Sequence, residues 1–239
     1  GFWESAALVK RRAVWLYDEL RRTAHTPESL AAAGPIASYS PHDTAELRRR
    51  GLVAVCVPLA HDRDAVVHAP LLQPEVVFVG ARYPKREAIL TTMYAAGIPV
   101  RAYGRDWSRH AFDRARTWRV RTPKLPAGRD LPRDDAYAVM AGAPVSLNIH
   151  GDQDGFTMRT FEIPGVGGLE LVDRRDVDVH YEPGREVLVF DTPDEAIELA
   201  RRGLKDEGWS RSIREAGRAR TMAEHTFDHR VAELERLWA

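Results

Sequence analysis

Short apolar runs alternate with longer stretches whose apolar positions recur every three or four residues, and the alternation persists over most of the chain. The runs "RAVWLYD" (12–18), "PIASYS" (35–40) and "LVAVCVPL" (52–59) predict strands, while "PESLAAAG" and "HDTAELRRRG" predict helices, the second closed by Gly51. "AHDRDAVVHAPLLQP" (60–74) has two prolines, scattered charge and no period, which marks a crossing between two folding units. A new series then begins: strand "EVVFVG" (75–80), loop "ARYPK", helix "REAILTTMYAAG" and strand "IPVRAYG". Further strands are predicted at "PVSLNIHG", "LELV" and "EVLVF", with a helix capped by Thr192 over "TPDEAIELARRGL" and helical structure from about 209 to 238. Strands in alternation with helices give an α/β class, an open sheet with helices on both faces. No internal repeat or low-complexity segment interrupts it.

Composition narrows the functional classes. At 239 residues, 44% hydrophobic and 29% charged, the chain can bury a sizeable core in one large domain or two small ones. Lysine plus arginine and aspartate plus glutamate both number 35, so no global field gathers nucleic acid or acidic membrane. Cys56 is the single cysteine, expected as a small buried hydrophobe, and no disulfide framework is possible within the chain. With no signal peptide and no transmembrane-length apolar segment, a cytoplasmic location is the expectation, and an initial Gly1 instead of Met points to a start further upstream. No compact set of histidine, cysteine and aspartate has metal-ligand spacing; His225 and His229, one helical turn apart, read as packing or surface residues.

In open α/β sheets, ligands bind at the carboxyl ends of the strands, so the loops there are the candidates. Gly80 with Arg82, Lys85 and Arg86 suits a phosphate, and equally an ordinary strand-to-helix turn with solvated charge. Tyr103 and Trp107 in the next such loop suit ring stacking or plain packing. Asn148 and His150, alternate residues of one strand end, would both point into a crevice and hydrogen-bond a ligand. They lead into "DGFTMRTFEIPGVGG" (154–168), where a helix is expected to begin near 157–159. An arginine in that first turn, Arg159, is disfavoured by the helix dipole unless it holds an anion, and its fork fits a diphosphate. Glu162 then either pairs with Arg159 at i+3 or accepts ribose hydroxyls. Asp18, ending its strand, is a candidate general base or a turn cap. The arginine-rich "RARTWRVRTPK" suits a diphosphate or an acidic acceptor, and equally a solvated surface.

"SLNIHGDQDGFTMRTFEIPGVGGLELVD", "PGREVLVFDTPDEAIELA" and "HTFDHR" together resemble the carboxyl-terminal domain of the CgeB-type, spore-maturation-protein-like glycosyltransferases, a GT-B branch. "VVFVGARYPKREAIL", "AAGIPVRAYGRDW" and the early "WLYDEL" and "SYSPHD" extend the resemblance over nearly the whole chain. It implies two Rossmann-like lobes, the first truncated or minimal: a partial acceptor-side lobe at 1–65, a linker at 66–74, a nucleotide-sugar-binding domain at 75–222, and a tail at 223–239 packing across the lobes with Leu234, Leu237 and Trp238. The implied activity is metal-independent sugar transfer from a nucleotide-diphosphate donor to an acceptor in cell-surface or specialised-metabolite glycosylation, with no cofactor and no nucleic-acid partner. Related retaining enzymes carry an acid, seven residues, then a glutamate; Asp154 and Glu162 have that spacing, with aspartate at the first position. The resemblance gives Glu162 the ribose hydroxyls, Asp154 and the amides after it, with Gly155 for close approach, the donor sugar, and Arg159 with the amides near Gly80 the diphosphate. Arg82, Arg86, Asn148 and His150 complete the expected donor site. A non-catalytic nucleotide- or sugar-binding scaffold is the alternative.

Overall fold

Two parallel sheets account for the alternation, in a computed structural model that describes residues 9, 11–65, 67, 69–118 and 121–237. In the first sheet β1 (Val14–Leu16) leads through α1 (Pro27–Ala31) to β2 (Ile36–Ser38), and α2 (Pro41–Arg49) leads on to β3 (Ala54–Cys56). The strands pair in the order β1-β2-β3, with Val14 opposite Ile36 and Ile36 opposite Ala54. Parallel pairing requires such crossovers, and both helices start on side-chain caps: Thr26 accepts from the Ser29 amide and Ser40 from the Asp43 amide. Gly51, at φ 80°, ends α2 in the left-handed conformation that glycine adopts most readily.

The second sheet begins with β4 (Val76–Val79), α3 (Pro84–Ala95) and β5 (Val100–Tyr103), and continues with α4 (Ala111–Thr117), β6 (Ala127–Gly128) and α5 (Arg133–Gly142). β7 (Ser146–Asn148), α6 (Arg159–Gly165), β8 (Glu170–Val172), β9 (Leu188–Val189) and α7 (Pro193–Lys205) complete it, followed by α8 (Glu207–Glu224) and α9 (Phe227–Glu235). All six strands are parallel, in the order β6-β5-β4-β7-β8-β9. Successive strands run outward from β4 in one direction and then from β7 in the other, so the order reverses between them. That reversal is a topological switch point, where a doubly wound sheet opens a crevice at its strand ends. Phe78, Leu90, Met93, Leu147, Leu171 and Phe190 fill the core around it, each contributing on the order of 1.5–3 kcal/mol by burial.

Contacts divide the chain into two units, 1–61 with 152–158 and 224–239, and 62–151 with 159–223. The boundaries differ from the expectation of contiguous segments for a chemical reason. Residues 152–158 join the first unit because Asp152 pairs with Arg21 at 2.6 Å and with Arg22, and because Asp154 accepts from the Ser40 hydroxyl at 2.6 Å. The tail joins it through hydrogen bonds from the His61 amide to the His225 carbonyl and from the Phe227 amide to the His61 carbonyl, and through an edge contact of Trp15 with Phe227. The expected linker, 66–74, is not a free crossing: the Leu71 and Gln73 amides donate to Ala138 and Gly142 carbonyls of α5.

Other expectations are revised in detail. α4, β6 and α5 have no counterpart in the sequence reading. The terminal helix is two helices, broken where Thr226 caps α9 against His229 Nδ1 at 2.7 Å; Trp238 lies outside the described residues. Cys56 is exposed, because β3 is an edge strand and Cys56 is its last residue. Among the described residues no helix is long and apolar enough to cross a membrane.

Candidate functional site

The switch point of the second unit gathers charged side chains in two tiers. Arg86 and Arg82, from the start of α3 and the loop before it, are buried and engaged. Arg86 Nε donates to the Ile149 carbonyl at 2.6 Å and Nη1 to the Ala81 carbonyl at 3.1 Å, so one guanidinium ties the loop after β4 to the end of β7. Its plane also lies over the Phe78 and Tyr83 rings. Arg82 forks onto Glu87 at 2.6 and 3.0 Å, donates to the Arg121 carbonyl at 2.8 Å and lies over Trp107. The Gly80 amide donates to Tyr103 and its carbonyl accepts from Trp107 Nε1 at 2.9 Å. The expected phosphate loop is therefore held by its own fold: the Gly80 amide is used in the sheet extension, and both arginines are committed to backbone carbonyls and to Glu87. Trp107 is fully buried, a packing residue.

The second tier is reachable. Lys85, with 54% of its side chain exposed, meets Asp173 Oδ2 at 2.6 Å. Arg159, 29% exposed, opens α6 as expected; its Nη1 contacts Glu162 at 2.5 Å and its Nε donates to the Val79 carbonyl at 3.3 Å. Glu162 is buried, and its other oxygen accepts from Tyr137 Oη at 2.7 Å. Tyr137 in turn accepts from Arg133 Nε at 3.1 Å, and Arg133 pairs with Asp62 at 3.0 Å. Each Glu162 oxygen accepts one of these bonds and keeps a second lone pair, the capacity a ribose hydroxyl needs. Each exposed cation thus stands on a buried carboxylate that orients it.

Beneath them runs a buried polar chain. His150 Nδ1 lies 3.0 Å from Asp173 Oδ1, which also accepts the His150 amide at 2.8 Å. Burial pushes the His150 pKa below its ordinary value, against the pull of Asp173. Burial raises Asp173, but hydrogen bonds from the His150 ring and amide and from Lys85 outweigh it, so the carboxyl sits below its usual range. At neutral pH the pair is a neutral imidazole donating Nδ1–H to a carboxylate. Asn148 Nδ2 donates to Thr160 Oγ1 at 3.0 Å and to Glu170 Oε1 at 2.7 Å, pinning α6 to β7 and β8. Glu170 is fully buried, its Oε2 has no hydrogen-bond partner among the described residues, and burial lifts its pKa well above the carboxylate range. Asn148 ends β7 and His150 follows it, but both side chains are buried, and their hydrogen bonds go to Thr160, Glu170 and Asp173.

Three expected residues lie in the first unit. Asp154 Oδ2 accepts from the Ser40 hydroxyl and from the His42 amide at 2.7 Å, and its own amide donates to Glu19 at 2.6 Å. Its carboxylate thus caps the amino terminus of α2. Gly155, expected to admit a donor, admits the Tyr39 carbonyl: a Cβ there would come within 2.3 Å of that oxygen. Asp18 Oδ1 accepts the Glu19 amide at 2.9 Å, the turn-capping arrangement, with its side chain half exposed.

Sequence reasoning missed Asp173, Tyr137, Thr160 and Glu170. Asp173 was findable, since it directly follows the strand "LELV" and the strand-end rule applies to it as to Asn148. Tyr137 lies on α5, which was not read as a helix. A hollow of about 510 Å³ elsewhere in this unit is lined by Asp62, Asp64, Asp134 and Asp135 with Arg133, the wrong charge for a diphosphate.

A family model described as glycosyl transferase-like matches residues 85–236. Among solved structures the chain is similar to sucrose-phosphate synthase from Thermosynechococcus elongatus (TM-score 0.66, 16% identity, 99% of this chain and 69% of that one). It is similar also to Anabaena Alr3699/HepE in complex with UDP-glucose (0.65, 11%, 94% and 71%) and to AviGT4, a glycosyltransferase involved in avilamycin A biosynthesis (0.62, 14%, 99% and 76%). At these identities the likeness is one of fold, an α/β fold of GT-B type. No curated protein matches the sequence.

Proposed function

The chain belongs to the glycosyl transferase-like family, and from that premise we propose that it moves a sugar from a nucleoside-diphosphate donor to an acceptor hydroxyl, with the donor held at the β4/β7 switch point. The observation that carries this reading is the pair of reachable cations, Lys85 and Arg159, each set on a buried carboxylate at that strand reversal. Arg159 and Lys85 take the diphosphate; Glu162, held by Tyr137, takes the ribose; Arg86 and the His150–Asp173 pair position the walls. As the bond from the anomeric carbon to the diphosphate oxygen breaks, negative charge grows on the leaving phosphate and is met by side-chain cations already in place. Such stabilisation uses no metal in this step. The motifs quoted above support placement in the CgeB-type branch. Asp154 and Gly155 are assigned a positioning role for loop 152–158, in keeping with the cap on α2.

Thermal melting with UDP, GDP and dTDP, followed by hydrolysis of the matching sugar nucleotides, tests the reading. At least one nucleotide is expected to raise the melting temperature and its sugar derivative to be turned over. A shift without turnover, with candidate acceptors present, would favour a binding scaffold; no shift from any of the three sinks the donor site.

A further inference from the structure

The connection from β5 to β6, residues 104–126, holds seven basic residues against two acidic ones between 105 and 124, in a chain whose totals balance. One of the two acids, Asp113, is buried and occupied by Arg129 and the Ser108 hydroxyl. Arg116, Arg121 and Lys124 are exposed, and no carboxylate partner for them is found among the described residues. Arg109 and Lys124 line, with Arg101 and Tyr94, a hollow of about 350 Å³.

Two large aromatic side chains stand among these charges. Phe112 on α4 is 62% exposed, and Trp118, the C-cap of α4, is 90% exposed. Trp118 also has φ 55°, the left-handed region, where glycine is the cheap choice and a bulky residue carries a backbone cost. The indole recovers none of that cost by burial in the fold. Exposed aromatics flanked by unpaired lysine and arginine are the chemistry of an interfacial anchor: rings enter the headgroup boundary while the cations meet lipid phosphates. The zero net charge gives neither a nucleic acid nor an anionic bilayer a long-range field, so attachment must act at contact, where insertion of an indole and a phenyl ring into the headgroup boundary favours the bilayer.

We propose that the α4 connection, through Phe112, Trp118 and the cations Arg116, Arg121 and Lys124, docks this protein on an anionic lipid bilayer. The inference stands apart from the donor site, which uses other residues.

Co-sedimentation of the full chain with phosphatidylcholine vesicles, with and without about 30 mol% phosphatidylglycerol, tests it. Binding is expected only to the anionic vesicles and to weaken as salt is raised. Phe112→Ala/Trp118→Gly is expected to lose roughly tenfold or more in vesicle affinity. Its melting temperature should be no lower than the parent's, since glycine suits the left-handed position and neither ring is buried. Arg116→Ala and Lys124→Ala should each cost roughly fivefold. The nucleotide-induced melting shift should stay unchanged in all these variants. Absence of binding to anionic vesicles, equal binding by the Phe112/Trp118 variant, or tighter binding to single-stranded oligothymidylate than to vesicles would overturn the proposal.

Discussion

In the first unit the acids at the strand ends outnumber the bases: Asp18, Glu19, Asp152 and Asp154 face Arg21 and Arg22, and those arginines pair with Asp152 and Glu19. In the second unit Lys85, Arg86 and Arg159 face Glu162 and Asp173, while burial keeps Glu170 toward its neutral form. Both clusters sit after parallel strands, and both hold their loops in place. Their difference lies in what remains for a ligand. Arg21 too rests on a buried carboxylate, Glu19, at 2.6 Å, but both of its outer nitrogens are taken by Asp152, and that solvated pair contributes little. Lys85 and Arg159 rest on buried carboxylates, which fix their direction and leave their outer faces open. An accessible cation on a buried acid is thus present in both units; what marks the second is that, among the described residues, no further acid caps Lys85 or Arg159 and that both stand at a reversal of strand order.

The strongest way to break this comparison is to remove the reachable cations. Lys85→Ala/Arg159→Ala is expected to weaken nucleoside-diphosphate binding by roughly 100-fold or more, because charge-assisted hydrogen bonds contribute about 1.5–3 kcal/mol each. The double variant should still melt cooperatively, with its nucleotide shift gone.

Arg86→Ala separates bracing from binding. It leaves the Ile149 and Ala81 carbonyls without their donor in a buried wall, and a loss of about 2–3 kcal/mol of stability is expected by chemical denaturation. An affinity loss without a stability loss would instead make Arg86 a ligand contact.

Glu170→Gln sharpens the electrostatic side. A carboxyl whose folded pKa lies above its unfolded value costs stability increasingly as pH rises from the unfolded pKa toward the folded one. The uncharged glutamine avoids that loss, so its stability relative to the parent should grow from pH 5 to pH 8. A difference independent of pH would show that Glu170 is ionised in the fold.

The smallest effect is expected in the first unit. Arg21→Ala should move the melting temperature by only a few °C and leave nucleotide binding unaltered, since its pair with Asp152 is solvated and the buried Glu19 keeps Arg22 and the Asp154 amide.

The sequence made some of this legible and hid the rest for physical reasons. β4, α3, β5 and β7 were readable because buried parallel strands are continuous apolar runs, and Gly51 and Thr192 announced helix ends. Arg159 was placed correctly in the first turn of α6, and its i+3 pairing with Glu162 was one of two stated possibilities. α5 was missed although Tyr137, Met140 and Ala141 recur on one face, because prolines on both sides and the charged run before it obscured the period. That omission concealed the Tyr137 hydrogen bond that holds Glu162. Burial of Arg82 and Arg86 was also invisible, since it depends on carbonyls far along the chain, at Arg121 and Ile149. For Asp154 the spacing to Glu162 was legible, but the cap it provides to α2 involves residues more than a hundred positions away.

The central claim, that the reachable cations of the second unit hold the donor diphosphate, is tested most directly by calorimetric titration of UDP, GDP and dTDP into three proteins. These are the parent, Lys85→Ala/Arg159→Ala and Arg21→Ala/Arg22→Ala. The account predicts that the nucleotide best bound by the parent loses roughly 100-fold in affinity in the first variant and stays within about threefold in the second. Full affinity in Lys85→Ala/Arg159→Ala, or an equal loss in Arg21→Ala/Arg22→Ala, would contradict it.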